Sequence, residues 1–205
     1  MQFLKDEILK STRWLNLIKR YYKDKNGKEQ NWVLAQRNNS VSAVMIIPYH
    51  YTTAPEEPQV RLAVIKEYRV PIKDFEWGFP AGLIDKGEDA ITTAARELTE
   101  ETGLVVDEVL EVSPDVYNTA GMTDESITMV YVNCSGTISK EGQEEAEDIE
   151  TFLMTPSEVE ELMKSDVKFG AKAWLVMREF VRKYQNPLSA LTTDEINKMA
   201  LKDKD

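Results

Sequence analysis

Hydrophobic and polar residues alternate along several short stretches of this chain, as they do in strands that bury one face. Residues 14–23 alternate loosely, Asp24-Lys25-Asn26-Gly27 is a strong turn signal, and residues 29–36 form a second extended run. This pattern predicts a β-hairpin. Runs rich in β-branched and apolar residues predict further strands at 42–48, 60–66, 127–134 and 149–154, with a Thr-Ala-Pro-Glu-Glu-Pro loop at 53–58.

Helical periodicity is clearest over residues 88–102. Gly103 follows directly, and a glycine in the left-handed conformation there would end the helix. The apolar stripe of this helix is expected to pack on the sheet, and it consists of Ile91, Ala94, Ala95 and Leu98. Further helices are predicted after Thr155-Pro156-Ser157, at 172–184 and at 193–201. Together the elements predict an α+β fold, a mixed sheet with helices against it and an N-terminal hairpin outside the main core.

The overall charge narrows the classes of partner. The chain has 36 acidic and 25 basic residues, a net charge of -11 that repels polyanions, so we expect no nucleic-acid partner. A small phosphate substrate remains compatible if a metal ion and a few arginines neutralise it locally. Cys134 stands alone, which is typical of a reducing cytoplasm, and we expect a cytoplasmic chain. Residues 1–10 lack the apolar core of a signal peptide, and no run reaches membrane-spanning length, so we expect no membrane partner.

The helix at 88–102 carries more carboxylates than its stability favours. Glu97 and Glu101 are four residues apart beside the apolar stripe, and like charges at this spacing destabilise a helix by roughly 0.2–0.5 kcal/mol. Neither has a Lys or Arg three or four residues away. A solvated acidic face explains the charge but not its position beside a buried stripe. Carboxylate oxygens suit Mg²⁺ or Mn²⁺, whereas the near absence of His and Cys disfavours zinc.

The segment 82–104 resembles the Nudix box, G-x5-E-x7-R-E-U-x-E-E-x-G-U with U aliphatic. It matches at all nine fixed positions: Gly82, Glu88, Arg96, Glu97, Leu98, Glu100, Glu101, Gly103 and Leu104. The resemblance implies the Nudix fold, a mixed β-sheet sandwich flanked by helices. It also implies metal-dependent hydrolysis of a nucleoside diphosphate linked to another group.

The same resemblance implies roles for individual residues. Glu97, Glu100 and Glu101 are the candidate metal ligands, together with the main-chain carbonyl of Ala81. Arg96 and Glu88 are expected to orient those carboxylates, and we count Arg96 and Glu100 among the catalytic residues. Mg²⁺ is the predicted cofactor, with Mn²⁺ as the alternative.

The order of motifs beyond the box resembles the ADP-ribose pyrophosphatase branch over roughly residues 8 to 154. In that branch the N-terminal hairpin packs on or exchanges with a second subunit. We therefore predict a β sub-domain at residues 1–40 that dimerises, a Nudix domain at residues 41–205, and a homodimer. The resemblance makes Trp14 and Trp32 candidates for stacking on adenine, and Arg37 and Arg69 candidates for contacting phosphates or the terminal ribose. Packing of the tryptophans within the hairpin, and a surface position for Arg37, are the alternatives.

The acidic loop at 141–148 corresponds to the one that supplies a catalytic base and a further metal ligand in that branch. By position these are Glu145 and Glu147, in an order the sequence leaves open, and Glu147 is also counted as a metal ligand. Two positions depart from the branch pattern. Ala120 stands where Pro is common, and Gly78 stands where Glu is common, so both bear on whether the substrate is ADP-ribose itself.

The predicted function is hydrolysis of the pyrophosphate bond of a nucleoside diphosphate sugar, with ADP-ribose giving AMP and ribose 5-phosphate. The nearest alternative is another sugar nucleotide, an ADP-, GDP- or UDP-hexose, hydrolysed by the same residues. A non-catalytic ADP-ribose sensor is a second alternative, although such sensors usually carry a damaged box. A purely structural dimer is a third, and it would leave the carboxylates unexplained.

Overall fold

The computed structural model describes residues 1–38, 42–51, 60–145 and 147–185. In chain order the strands β1 to β12 are Gln2–Ser11, Leu15–Lys23, Glu29–Arg37, Ala43–Tyr51, Val60–Arg69, Asp74–Gly78, Ala81–Leu83, Leu104–Val112, Val116–Tyr117, Ser126–Gly136, Ile149–Met154 and Lys168–Phe169. The helices α1, α2 and α3 are Ala90–Thr102, Pro156–Lys164 and Ala171–Gln185. Among the described helices, none is long and apolar enough to cross a lipid bilayer. The predicted helix at 193–201 and the loop at 53–58 lie outside the described residues.

The predicted hairpin is confirmed as β2 and β3, which pair antiparallel from Leu15 opposite Arg37 to Lys23 opposite Glu29. The Asp24 carboxylate closes the turn by accepting hydrogen bonds from the main-chain N–H groups of Asn26 (2.8 Å) and Lys28 (3.0 Å). Strand β1 adds to the other edge of β2 to give a three-stranded sheet. The sequence did not predict β1, because its residues are almost all exposed and leave no alternation of buried and solvated positions to detect.

The larger sheet has the hydrogen-bonded order β12-β6-β5-β4-β10-β8, with β11 paired to β5, β7 to β4 and β9 to β10. Strand β12 runs parallel to β6, whereas β6, β4 and β11 each run antiparallel to β5, so the predicted mixed sheet is confirmed. The central part of β5 is buried at four consecutive residues, Leu62, Ala63, Val64 and Ile65. Such a continuous apolar run is typical of a strand covered on both faces.

The packing of the chain divides it into two compact units. The first comprises Met1–Met45, Ala81–Arg96 and Glu111–Val130. The second comprises the described residues of Ile46–Pro80, Glu97–Leu110 and Tyr131–Asp205. Within the second unit, α3 buries Val176, Met177 and Phe180, and the Phe180 ring lies 6.1 Å from that of Tyr49 on β4.

Helix α1 begins two residues later than the periodicity predicts, at Ala90 instead of residue 88. The reason is Asp89, whose carboxylate accepts a hydrogen bond from the Thr92 N–H (2.8 Å), as a residue preceding a helix does. The end is as predicted, because Gly103 has φ 76 and its N–H donates to the Thr99 carbonyl (2.9 Å). The predicted apolar stripe is wrong at Ile91, which is 46% exposed, while Ala94 and Leu98 are fully buried.

Candidate functional site

The C-terminal half of α1 presents its carboxylates at different depths. Glu101 is 4% exposed, whereas Glu97 and Glu100 are half-buried. Helical geometry sets Glu97 and Glu101 one turn apart, with about 5–6 Å between their Cβ atoms. An ionised carboxylate taken out of water is costly unless positive charge or hydrogen bonds compensate for it. The depth of Glu101 therefore argues against a merely solvated acidic face at this residue.

Arg69, at the end of β5, lies among carboxylates that include Glu101. Its Nη1 donates to Glu67 Oε1 (2.8 Å), and its Nε lies 3.4 Å from Glu76 Oε2. Burial alone would lower the pKa of the Arg69 guanidinium, but the charges of Glu67, Glu76 and Glu101 outweigh it and raise the pKa above its ordinary value. The structure thus brings one predicted phosphate-binding arginine into the electrostatic field of one predicted metal-binding glutamate.

Glu67 and Glu76 were missed by the sequence analysis. Glu67 is two residues from Arg69 on the same strand, so the two side chains share a face, and that spacing is a signal the sequence does contain. Glu76 lies directly opposite Glu67 on β6. That proximity depends on the pairing of β5 with β6, which the sequence alone does not reveal.

The acidic loop before β11 holds one of its two candidate residues in a defined turn. The Glu147 carboxylate accepts a hydrogen bond from the Glu144 N–H (2.9 Å), and the Glu147 N–H donates to the Glu144 carbonyl (3.0 Å). Glu145 is exposed to solvent. The Ser139 N–H, which precedes the loop, donates to the carbonyl of Thr102 at the end of α1 (2.9 Å). The loop is thereby tied to the helix that carries Glu97, Glu100 and Glu101.

The first half of the motif, in the other unit, is organised around Glu88. Its carboxylate accepts hydrogen bonds from the buried Thr93 hydroxyl (2.8 Å) and from Arg96 Nη2 (3.2 Å) and Nε (3.3 Å). The hydrogen bond from Arg96 is the main reason that the pKa of Glu88 lies below its ordinary value, and Thr93 adds to it. Ala81 pairs with Met45 at the start of β7. The structure therefore brings together Glu88 and Arg96, which were both predicted to orient ligands.

The aromatic candidates on the N-terminal sheet are both exposed. Trp14 is 66% exposed with the Arg13 guanidinium 4.4 Å from its ring, and Trp32 is 54% exposed. The Trp32 Nε1–H donates to the carbonyl of Gly121 (2.9 Å), so the edge of this ring is fixed while a face remains accessible. Arg37 Nε donates to the Glu125 carboxylate, so this arginine is ion-paired.

Trp32 also lines a cavity of about 510 Å³ in the first unit. The cavity combines apolar walls with an ion pair between Arg20 and Asp124 (3.4 Å). Its lining residues are Met1, Gln2, Phe3, Arg20, Tyr22, Trp32, Leu34, Tyr117, Ala120, Thr123 and Asp124. The size is within the range of small-molecule sites, roughly 300–1,000 Å³. Ala120, one of the two departures from the branch pattern, is part of this wall.

The proposed donor set suits Mg²⁺, which keeps several bound waters, better than a metal ion that is enclosed by protein ligands alone. Within residues 1–38, 42–51, 60–145 and 147–185, no three His, Cys, Asp or Glu side chains are grouped so that they could hold a metal ion. Mg²⁺ does not require such a cage, because it keeps several waters and commonly uses one or two carboxylates together with substrate phosphates. Oxygen-only donors on one helix turn, one of them buried, satisfy that requirement, and zinc's preference for Cys and His is not met.

Comparisons with known proteins agree with the motif. A model of the NUDIX domain matches residues 51–175. ADP-ribose pyrophosphatase of Saccharomyces cerevisiae is 32% identical over an alignment of 175 residues that covers 78% of this chain and 74% of the yeast protein. ADP-sugar pyrophosphatase of Mus musculus is 32% identical over an alignment of 135 residues that covers 64% of this chain and 60% of the mouse protein.

The crystal structure of an ADP compounds hydrolase superposes with a TM-score of 0.67 at 21% identity, covering 89% of this chain and 94% of that chain. At that identity the likeness supports the fold alone, and it agrees with the mixed sheet and flanking helices described above. The sequence matches carry the family, since the domain model covers more than half of the chain. The prediction from the nine motif positions is confirmed: the chain belongs to the Nudix family of hydrolases, within which it resembles the ADP-ribose pyrophosphatase branch.

Proposed function

We propose that the protein hydrolyses the pyrophosphate bond of a nucleoside diphosphate sugar in a metal-dependent reaction, and that ADP-ribose is the preferred substrate, giving AMP and ribose 5-phosphate. The observation that carries the proposal is the complete motif, in which Glu101 is buried and interacts electrostatically with Arg69. A buried carboxylate can bind a metal ion, and a guanidinium that interacts with it electrostatically can bind a phosphate. The names of the yeast and mouse relatives, an ADP-ribose and an ADP-sugar pyrophosphatase, support this class of substrate.

Glu97 and Glu101 are proposed to hold Mg²⁺, with Mn²⁺ as the alternative. Glu100, Glu147 and the carbonyl of Ala81 complete the proposed ligand set, by the family resemblance. When bound, a divalent cation neutralises phosphate charge and lowers the pKa of a nearby water. Oxygen ligands that hold Mg²⁺ loosely leave coordination positions for the diphosphate.

The protein's side chains are proposed to supply the base, the phosphate-binding group and the support of the motif. A carboxylate of the acidic loop, Glu145 or Glu147, takes a proton from the attacking water. The water oxygen forms a bond to one phosphorus, the bond from that phosphorus to the bridging oxygen breaks, and the other phosphate leaves with the electron pair. Arg69 offers a planar fork to a phosphate, for which it exchanges contacts with Glu67 and Glu76. Arg96, held on Glu88, is proposed to keep the motif in place.

Recognition of the nucleoside is proposed to involve Trp32 and Trp14, whose exposed rings can stack on adenine. Arg37 is ion-paired with Glu125, so it can contact the substrate only after the substrate displaces that carboxylate. We further propose that residues 1–40 form a dimerising sub-domain and that the protein acts as a homodimer in the cytoplasm. The exposed apolar residues of β1 and β2 and the single buried thiol of Cys134 support those two proposals.

A second candidate is a different sugar nucleotide, such as an ADP-, GDP- or UDP-hexose. Two observations favour it. Gly78 stands where the branch commonly has glutamate, and a Cβ added there would meet nothing within 4 Å, so the space beside this residue is open. Ala120, at a position where proline is common in the branch, lines the cavity that Trp32 also lines.

The test is product analysis with purified protein and Mg²⁺ on ADP-ribose, ADP-glucose, GDP-mannose, UDP-glucose and NADH. Release of AMP chiefly from ADP-ribose is the expected result. A preference for another member retains the proposed chemistry and changes the substrate. If no compound is cleaved while Mg²⁺ binds, the catalytic proposal fails and the protein is better described as a sensor.

A further inference from the structure

Gln143 makes two hydrogen bonds that connect separate elements of the second unit. Its Nε2 donates to the carbonyl of Glu101 on α1 (2.8 Å) and to the carbonyl of Ile149 at the start of β11 (3.1 Å). The side chain is half-buried at this junction. The side-chain amide of Gln143 therefore joins the last turn of α1 to the start of β11, across the acidic loop.

The Glu101 carbonyl needs a donor from outside the helix. The last four carbonyls of an α-helix have no intrahelical N–H partner, and Glu101 is the penultimate residue of α1. Gln143 supplies the donor for Glu101, and the Ser139 N–H supplies one for Thr102. The acidic loop thus caps the helix, and the residue whose carbonyl it caps is the buried candidate metal ligand.

Gly142 lets this capping loop approach closely. A Cβ at residue 142 would lie 2.8 Å from both the Cα and the carbonyl oxygen of Glu100, which is closer than real Cβ atoms come to backbone. The main chain of the loop therefore lies directly on the main chain of α1 at another candidate ligand. Any side chain at this position would push the loop away from the helix.

We propose that Gln143 is a positioning residue for the hydrolytic reaction. It sets the distance between the loop carboxylates, Glu145 and Glu147, and the helix carboxylates, Glu97 and Glu101, and Gly142 permits the close contact on which this distance depends. The inference rests on the proposed function, because it assigns the loop a base. Displacement of a reacting group by about 1 Å can cost about 100-fold in rate, so a two-point anchor of this kind has a direct kinetic consequence.

The test replaces Gln143 with methionine, which has similar length and volume but no N–H donor. The control is Gln185→Met, because Gln185 on α3 also donates two side-chain hydrogen bonds, to Ser157 (3.3 Å) and Glu160 (3.0 Å), but none of these residues belongs to the motif or the acidic loop. Amide hydrogen exchange of the metal-free protein is followed for peptides covering 139–148 and α3. The same preparations are assayed for kcat, KM and the Mg²⁺ concentration that gives half-maximal rate.

For Gln143→Met we expect faster exchange in 139–148 with α3 unchanged, and a fall in kcat of about 10- to 100-fold with KM changed by less than about threefold. A displaced base affects the transition state much more than substrate binding, which is why kcat should carry the loss. Gln185→Met should leave the exchange of 139–148 and kcat at wild-type values. Gly142→Ala acts on the same contact by a different route, and it should reproduce the kinetic pattern if Gln143→Met does not fold.

Wild-type kcat and unchanged loop exchange in Gln143→Met would overturn the positioning role. A fall in activity that matches the loss of folded protein, with KM and the Mg²⁺ requirement unchanged in the folded fraction, would also overturn it and leave a purely structural cap. If wild-type protein cleaves no substrate, the proposed function fails instead, and that outcome is distinct because the exchange experiment needs no substrate.

Discussion

At the scale of single residues, the surroundings separate glutamates that look alike in the sequence. Glu101 is buried and interacts electrostatically with Arg69, Glu88 is held by Arg96 and Thr93, and Glu147 accepts a hydrogen bond from the loop main chain. A carboxylate that serves only solubility needs none of these arrangements. Substitutions at single glutamates should therefore have sharply different effects on turnover and on stability.

Glu97→Gln keeps the shape of the side chain but removes the charge that is proposed to bind a cation. We expect turnover to fall by about 100-fold or more at fixed Mg²⁺, with the unfolding temperature close to that of wild type. Steady-state assays together with thermal unfolding measure the two effects. The control is Glu111→Gln, an exposed glutamate on β8 outside the motif, which should leave both unchanged. A wild-type rate in Glu97→Gln would remove the metal assignment.

The proposal gives one of Glu145 and Glu147 the role of base and makes Glu147 a metal ligand, so their Gln variants test how the two roles are divided. The variant that lacks the base loses kcat at all Mg²⁺ concentrations, whereas the variant that lacks a metal ligand recovers part of its rate as Mg²⁺ is raised. The measurement is the rate as a function of Mg²⁺ for each variant. Glu141→Gln, an exposed glutamate in the same loop, serves as the matched control. Equal and wild-type behaviour of both variants would exclude the loop as the source of the base.

Glu88 is expected to contribute to the free energy of unfolding in a pH-dependent way. Its pKa is lower in the folded protein than its ordinary value, because Arg96 and Thr93 stabilise the ionised form. The contribution is therefore present above the unfolded pKa of about 4.3 and is lost as pH falls through the folded value. We expect Glu88→Gln to be less stable than wild type near neutral pH, with the difference shrinking below about pH 4.3. Chemical denaturation at several pH values tests this, and a difference that does not change with pH would contradict it.

At the scale of elements, the end of α1 depends on a glycine that no other residue replaces. Gly103 has φ 76, and a Cβ there would lie 2.6 Å from the Ser139 nitrogen. Gly103→Ala should therefore destabilise the protein by about 1–3 kcal/mol, which corresponds to roughly 2–4 °C per kcal/mol in unfolding temperature. Gly78→Ala is the matched control, because a Cβ there meets nothing within 4 Å. Equal stabilities of the two variants would show that the cap is not under steric constraint.

Elements were predictable from the sequence where burial follows a period. The hairpin of β2 and β3, strand β11 and the end of α1 were read correctly, because alternation, turn residues and a capping glycine are local signals. Strand β1 was missed because it is exposed along both faces. The exposure of Ile91 was missed because the helical period gives the direction of a side chain but not what covers it.

The site residues within the motif were predictable from the sequence, whereas the contacts between residues on different strands and loops were not. Fixed spacing on one helix was enough to single out Glu97 and Glu101 as candidate ligands, which stays a prediction. The contacts of Arg69 with Glu76, and those of Gln143 with α1 and β11, join residues that are distant in sequence and become neighbours only through sheet pairing and loop closure. Long-range contacts of this kind follow from the fold and leave no local pattern.

At the scale of the whole molecule, the exposed apolar residues of the N-terminal sheet and the net charge of -11 have opposite consequences. The charge disfavours indiscriminate association. Apolar side chains such as Phe3, Ile8 and Leu17 nevertheless lie exposed on β1 and β2. A specific contact between two copies would bury them, and in a symmetric pair each copy would present the same surface to the other. This is the basis on which a shared active site can be tested.

Subunit mixing tests whether the tryptophans of one chain serve the carboxylates of another. One variant carries Trp14→Ala and Trp32→Ala, the other carries Glu97→Gln, and each alone should be nearly inactive at low substrate concentration. After exchange, half of the dimers are mixed and each mixed dimer has one intact site, so about a quarter of the wild-type activity should return. Mixing Glu97→Gln with Glu101→Gln is the control, because both changes damage the same part of every site. Light scattering before and after mixing verifies the dimer, and a dimer without recovered activity would mean that Trp32, hydrogen-bonded to Gly121 of its own chain, serves its own site.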